Sequence, residues 1–218
     1  MPPRGGRHYS RTMRQPYRIA TCSLCALLGA VSSTAAAETP GSWSVGLERV
    51  FGFSSATTKT EANGQSNSQT SNQISLFSHV LGDQPGYPGA RLALDYLFPS
   101  GLTLGGAIGY QSYDPDTDED DDTVRGWLLE PRVGYFASVS GNFGIWPRGG
   151  LTYVTISTDN GGPNYTALSV ELPLVLRVAG NVCFAAMPYV DLGLGGGTDN
   201  VDQKITEIGL QFGLNAFF

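Results

Sequence analysis

The sequence contains no uninterrupted apolar run of the roughly 18 residues that a membrane-spanning helix needs, so a helical membrane protein is excluded. Cysteine is scarce: there are three, and two of them, Cys22 and Cys25, lie near the N-terminus. Only 15% of the residues are charged, histidine occurs twice, and no zinc, nucleotide or phosphate motif is present. Glycine, with 29 residues, and aromatics, at 11%, suit many strands and tight turns better than helices. A length of 218 residues points to one domain. A chain of this kind can cross a membrane only as a closed barrel, because an open sheet would leave unpaired backbone groups in hydrocarbon.

Residues 1–37 read as a cleaved signal peptide. Arg4, Arg7, Arg11, Arg14 and Arg18 form a basic start without an acid, Ile19 to Val31 is a short apolar stretch, and Ala35-Ala36-Ala37 is a small-residue cleavage pattern. Cleavage would leave 38–218 as the mature domain, with eight basic residues against all 19 acids and a net charge of −11. Such acidity argues against nucleic-acid binding. Cys22 and Cys25 depart with the signal, leaving Cys183 as the single cysteine of the mature domain, so no intramolecular disulfide is expected. An exported chain without bridges must be held by something else, and a closed hydrogen-bond ladder would serve.

The clearest pattern is at the C-terminus. Ile208, Leu210, Phe212, Leu214, Ala216 and Phe218 alternate with Gly209, Gln211, Gly213 and Asn215. This period of two makes one face of an extended strand apolar and the other small or polar. Seven further segments alternate in the same way, at 42–54, 90–98, 102–113, 124–137, 143–157, 165–178 and 183–194. Short turns at Gly101, Gly141 and Gly180 take turns with longer expected loops at 55–88, 114–122, 159–163 and 195–203. Pro131, Pro147, Pro173 and Pro188 fall inside strands, where each must cost a ladder bond or mark a bulge.

Alternating apolar residues ending in Phe212, Leu214 and Phe218 resemble the sorting signal of bacterial outer-membrane barrels, which the barrel-assembly machinery reads. The mature chain as a whole resembles the small eight-stranded barrels of the OmpA/OmpX type, without the peptidoglycan-binding domain of full OmpA-type proteins. The resemblance implies an all-β, eight-stranded antiparallel up-and-down transmembrane β-barrel in the outer membrane, among outer-membrane lipid and lipopolysaccharide. Short turns would then be periplasmic, as would both mature termini, given an even strand number. Trp43, Trp127, Tyr96, Tyr110, Tyr135, Tyr153, Phe98 and Phe218 have the outward parity, where those near strand ends would form interfacial girdles. A soluble lipocalin-like barrel would exchange the two parities.

The opposite face carries Glu48, Arg91, Asp95, Glu130, Arg132, Arg148, Glu171, Arg177, Asp191 and Glu207. An eight-stranded barrel has room inside only for side chains, and charges there must pair. The expectation is therefore a salt-bridged plug, with a small ion-conducting or gated lumen as the alternative. Asp114, Asp116, Asp118, Asp120 and Asp122 place carboxylates at every second position of one loop. They would bind Ca²⁺ or Mg²⁺ weakly at most, since Glu119 and Arg125 occupy the glycine and bidentate-glutamate places of an EF-hand. An enzyme that modifies outer-membrane lipid is the other alternative, but His79, with Ser78 and Asp83 beside it in sequence, is no catalytic set. No cofactor is expected. A structural or surface-interaction role, through 55–88 and 114–122, is the reading these residues favour.

Overall fold

The computed structural model describes residues 41–62, 64–76, 79–80, 89–113, 124–157, 162–198 and 201–218. The signal segment, the acidic positions Asp114 to Asp122, Ser78, Asp83 and the His79 side chain lie outside the described residues. The strands are β1 (Ser42–Ala62), β2 (Gln65–Leu76), β3 (His79–Val80), β4 (Arg91–Leu97), β5 (Leu102–Tyr113), β6 (Val124–Tyr135) and β7 (Ala137–Ser140). They continue with β8 (Phe143–Ile145), β9 (Arg148–Ser157), β10 (Asn164–Glu171), β11 (Leu174–Ala179), β12 (Val182–Thr198) and β13 (Val201–Phe217).

The pairing closes on itself. The ring β1-β4-β5-β6-β9-β10-β12-β13 returns to β1, and every neighbour is antiparallel. These are the eight staves of an all-β, up-and-down barrel. The closing seam reaches the last residue, since Trp43 and Phe218 exchange backbone hydrogen bonds of 3.0 and 2.8 Å. The tight turns at Gly101, Gly141 and Gly180 share one end of the barrel with this seam; Gly101 and Gly180 have φ of 84° and 50°, a left-handed conformation that favours glycine.

Prolines interrupt the ladder without shifting it. β8 and β9 form one stave broken at Trp146-Pro147, and β10 and β11 form another broken at Leu172-Pro173. The pairs Glu171↔Arg148 and Leu174↔Ile145 keep a single register across both breaks. Proline lacks a donor but keeps its acceptor. Accordingly Tyr135 N donates to Pro147 O, Trp146 N to Pro173 O and Leu172 N to Pro188 O, each at 2.9 Å. Pro131 falls at a gap in the β6–β9 pairing, between Leu129↔Tyr153 and Arg132↔Gly150.

The expected loop at 55–88 is largely strand. β1 runs on to Ala62 and returns as β2, paired from Phe51↔Leu76 to Ala62↔Gln65. Its other edge pairs with β13 as far as Glu61↔Asp202. The expected loop at 195–203 shrinks likewise, because β12 runs to Thr198 and β13 starts at Val201. Ser, Thr, Asn and Gln suggested a loop by composition. Between paired neighbours, however, their backbone bonds are satisfied, and with polar side chains on the outward face no apolar alternation announces the strand.

The outward surface is apolar. Trp43, Leu94, Leu104, Ile108, Trp127, Leu129, Val133, Leu151, Val170 and Leu210 are all exposed on it. Aromatics gather at two levels: Trp43, Tyr96 and Phe98 interlock near the tight turns, with ring centroids 5.0 and 4.8 Å apart, and Tyr110 packs on Trp127 at 4.7 Å toward the other end. From Leu102↔Tyr135 to Tyr110↔Trp127 is eight residues, or about 27 Å of strand. A dry core belongs inside a water-soluble barrel; here leucines face out and arginines face in. The barrel is transmembrane.

Candidate functional site: a sealed lumen and a standing hairpin

The interior has three storeys. Next to the tight turns, Leu97, Trp146, Val175, Cys183, Ala185 and Met187 pack with Phe136 and Phe217 into an apolar plug. Trp146 is wholly buried, and its indole N–H donates to Thr103 Oγ1 at 3.0 Å. Toward the other end, Leu128, Val154, Tyr165, Ala167 and Ile205 form a second apolar cluster. Between the two lies a belt of charge.

Arg132 is central to the belt. It grips Glu48 through both terminal nitrogens, at 2.6 and 3.0 Å, and reaches Asp95 from Nε at 3.0 Å and from Nη2 at 2.5 Å. Arg148 bridges Glu48 and Glu171 at 2.7 Å each, with its guanidinium over the Trp146 ring at 4.7 Å. Arg91 pairs with Glu130 and lies 3.8 Å from Asp191. All these side chains are at least 96% buried, so the pairs are shielded from bulk solvent. Arginine's planar fork suits such shared, bidentate contacts.

Space for the belt comes from glycine on adjoining staves. A Cβ on Gly150 would stand 2.9 Å from Arg132 Cβ, and one on Gly134 would stand 2.8 Å from Arg148 Cγ. A Cβ on Gly105 would reach 2.4 Å from Asp95 Oδ1. Large inward side chains are set beside inward positions that have none.

Of the ten lumen positions expected from parity, Glu48, Arg91, Asp95, Glu130, Arg132, Arg148, Glu171 and Asp191 form the ion-paired belt. Glu207 is buried in the lumen but stands apart from the ion pairs. It accepts from the Tyr189 hydroxyl, which accepts from Gln211 Nε2 at 3.3 Å; Gln211 Oε1 in turn accepts from Ser75 at the root of β2, also at 3.3 Å. Arg177 departs from expectation. Its parity is inward, but it lies three residues before the Gly180 turn, below the apolar plug, half-buried beside Phe136, Cys183 and Phe217. No salt bridge to it occurs among the described residues.

The cation the sequence reading missed is Arg49. Simple alternation places it outward, between Leu47 and Phe51. The register with β13 slips by two residues between Leu47↔Leu214 and Phe51↔Phe212, and Arg49 takes φ 52°. This bulge turns the side chain into the belt. There it donates to Asp191 and Glu171 at 2.8 Å each and lies 3.9 Å over the Tyr189 ring. The available clue was its charge: an arginine on the lipid face near mid-membrane costs about 2–4 kcal/mol, against about 1–2 kcal/mol for a left-handed non-glycine residue.

The second feature is the β1–β2 hairpin. Its last outward apolar pair is Phe53↔Ile74. Beyond that pair, nine residues of each strand, 54–62 and 65–73, extend about 30 Å along the strand. They are mostly polar, the β2 half largely exposed and the β1 half largely half-buried, with Ala56 and Gln73 buried; Thr57 and Thr70 share a hydroxyl hydrogen bond of 3.0 Å across the ladder. β13 and β12 accompany them, through Glu61↔Asp202 and Thr198↔Val201.

No protein-family model and no curated protein matches this sequence. Among solved structures, the chain is similar to Ail, the attachment invasion locus protein of Yersinia pestis, at 12% identity and TM-score 0.42, covering 83% of this chain and 100% of that one. It is also similar to neisserial surface protein A, at 15% identity and TM-score 0.45, covering 81% and 98%. Likeness to the outer membrane protein OprG of Pseudomonas aeruginosa is at 10% identity and TM-score 0.49, covering 83% and 97%.

Proposed function

We propose that this chain is an integral outer-membrane β-barrel with a structural or surface-interaction role, its lumen closed and its working surface the ladder that stands above the apolar band. The observation that carries this reading is the contrast between the two ends. At one end the chain turns within a few residues; at the other, β1, β2, β12 and β13 continue past the last outward apolar residues as a paired, polar sheet. Strand extensions of that length cost backbone order, and nothing in the membrane uses them.

In this reading the tight turns and both mature termini are periplasmic. The hairpin faces outward, among outer-leaflet lipid and lipopolysaccharide. Phe212, Leu214 and Phe218 form the signature read by the barrel-assembly machinery; Phe218 is exposed beside the closing seam, and Phe212 stacks between Phe51 and Phe184 at 5.7 Å from each. Four arginines locked to carboxylates, between two apolar plugs, support a lumen that does not conduct.

Labelling of whole cells with a membrane-impermeant maleimide checks the orientation. A Ser68→Cys variant reacts on intact cells, whereas Ser100→Cys, in a tight turn, reacts only after the outer membrane is permeabilised. The purified protein adds no steady ion current to a planar bilayer. Labelling of Ser100→Cys on intact cells, or a steady current, contradicts the proposal.

A further inference from the structure

Among the described residues, β2 has one side that is largely open. Twelve of its positions pair with β1. On its other side only Ser75 and Leu76 have partners among the described residues, Val80 and His79 of β3. Natural sheets guard such edges with lysine, proline or a bulge, because a row of free N–H and C=O groups is a template for another strand. From Gln65 to Gln73 the sequence is Gln-Ser-Asn-Ser-Gln-Thr-Ser-Asn-Gln, without charge, proline or glycine. The edge is also stiff, being the margin of the continuous sheet β2-β1-β13-β12.

This stretch nearly mirrors itself about Gln69. Gln65 corresponds to Gln73, Ser66 to Asn72, Asn67 to Ser71 and Ser68 to Thr70. If two such strands pair antiparallel with Gln69 at the centre, amide meets amide, hydroxyl meets hydroxyl, and Asn meets Ser. Each pair can hydrogen-bond across the strands, as Thr57 and Thr70 already do within the hairpin. No like charges face one another. A strand that receives an unrelated partner has no need of such self-complementarity.

We propose that the occupant of this edge is the β2 strand of a second copy of this chain, antiparallel to the first, on a two-fold axis through Gln69. Neighbouring antiparallel strands are related by an axis perpendicular to their sheet. Rotation about that axis reverses the barrel direction, so the two copies are in opposed bilayers rather than side by side in one. The chain thereby joins two membranes. The inference depends on the surface-contact reading above and supplies its partner.

The test uses the full mature protein reconstituted in two vesicle populations, one with donor-labelled and one with acceptor-labelled lipid. Mixing brings the dyes together at a rate that rises with protein content. Gln69→Lys sets two like charges directly opposite on the axis and slows docking about tenfold or more. In a Cys183→Ala background, Gln69→Cys forms a disulfide-linked dimer with itself. Gln65→Cys forms one with Gln73→Cys and not with itself. Unchanged heat-dependent gel mobility confirms that each variant is folded. Docking unaffected by Gln69→Lys, or equal cross-linking from Ser100→Cys, overturns the pairing, as do Gln69 cross-links confined to single vesicles. Outside labelling of Ser68→Cys would survive each of those results, so failure of the pairing is distinct from failure of the surface-contact reading.

Discussion

Substitution of Arg132 by leucine abolishes the heat-modifiable folded form, or lowers its stability in lipid by about 3–5 kcal/mol, the usual result of removing one partner from a buried ion pair. The arithmetic is local. Arg132 supplies hydrogen bonds to both oxygens of Glu48 and both of Asp95, and each of those carboxylates is 1% exposed. Without the guanidinium, Glu48 keeps only Arg148, and Asp95 keeps only a 4.0 Å approach from Arg148. Neither can turn to water, because apolar clusters close the lumen on both sides. A loss of that size is comparable with the whole stability of many domains. The same account predicts rescue: Arg132→Leu combined with Glu48→Gln and Asp95→Asn regains most of the lost stability, since no unpaired charge remains. Urea titration in lipid vesicles, read by mobility before boiling, measures both.

Substitution of Leu129 by arginine is the second large effect. Leu129 is 54% exposed, at mid-height on β6 between Trp127 and Val133. On a soluble barrel, an arginine at such a position would be close to neutral. Here it faces hydrocarbon and costs about 2–4 kcal/mol. Thr70→Arg, on the standing hairpin, is the matched control and changes stability by no more than about 0.5 kcal/mol. The two positions are both open in the bare protein, so any difference between them reports the medium outside.

The barrel was legible in the sequence because parity is a strong signal wherever the two faces of a strand meet different media. One side of each stave meets oil and the other meets packed charge, so Leu104, Ile108 and Leu129 sort cleanly from Asp95, Glu130 and Arg132. The signal fades where that contrast ends. Above Phe53 and Ile74 the outward face of the hairpin is polar rather than apolar, so nine paired residues on each strand looked like a loop. It also fails where the backbone departs from regular pleating: the bulge at Arg49 reverses the orientation expected from counting. Arg177 fails for a third reason. Parity states which face a residue occupies but not its depth, and below the Trp146 plug an inward arginine is no longer in the belt. The apolar plugs were legible only in part, since Leu97, Leu128 and Trp146 carried the inward parity without any indication that they would layer above and below the charges.

The chain carries its own reporters for the central claim. Of its three tryptophans, Trp43 and Trp127 lie on the outward surface and Trp146 is sealed inside. Single-tryptophan variants reconstituted in phospholipid with brominated acyl chains separate the two environments. Strong quenching of Trp43 and Trp127, with Trp146 left bright, is the result expected of leucines in oil and arginines within. Quenching of Trp146 in preference to the other two, or a protein that remains dissolved without lipid or detergent and shows no quenching, would contradict it.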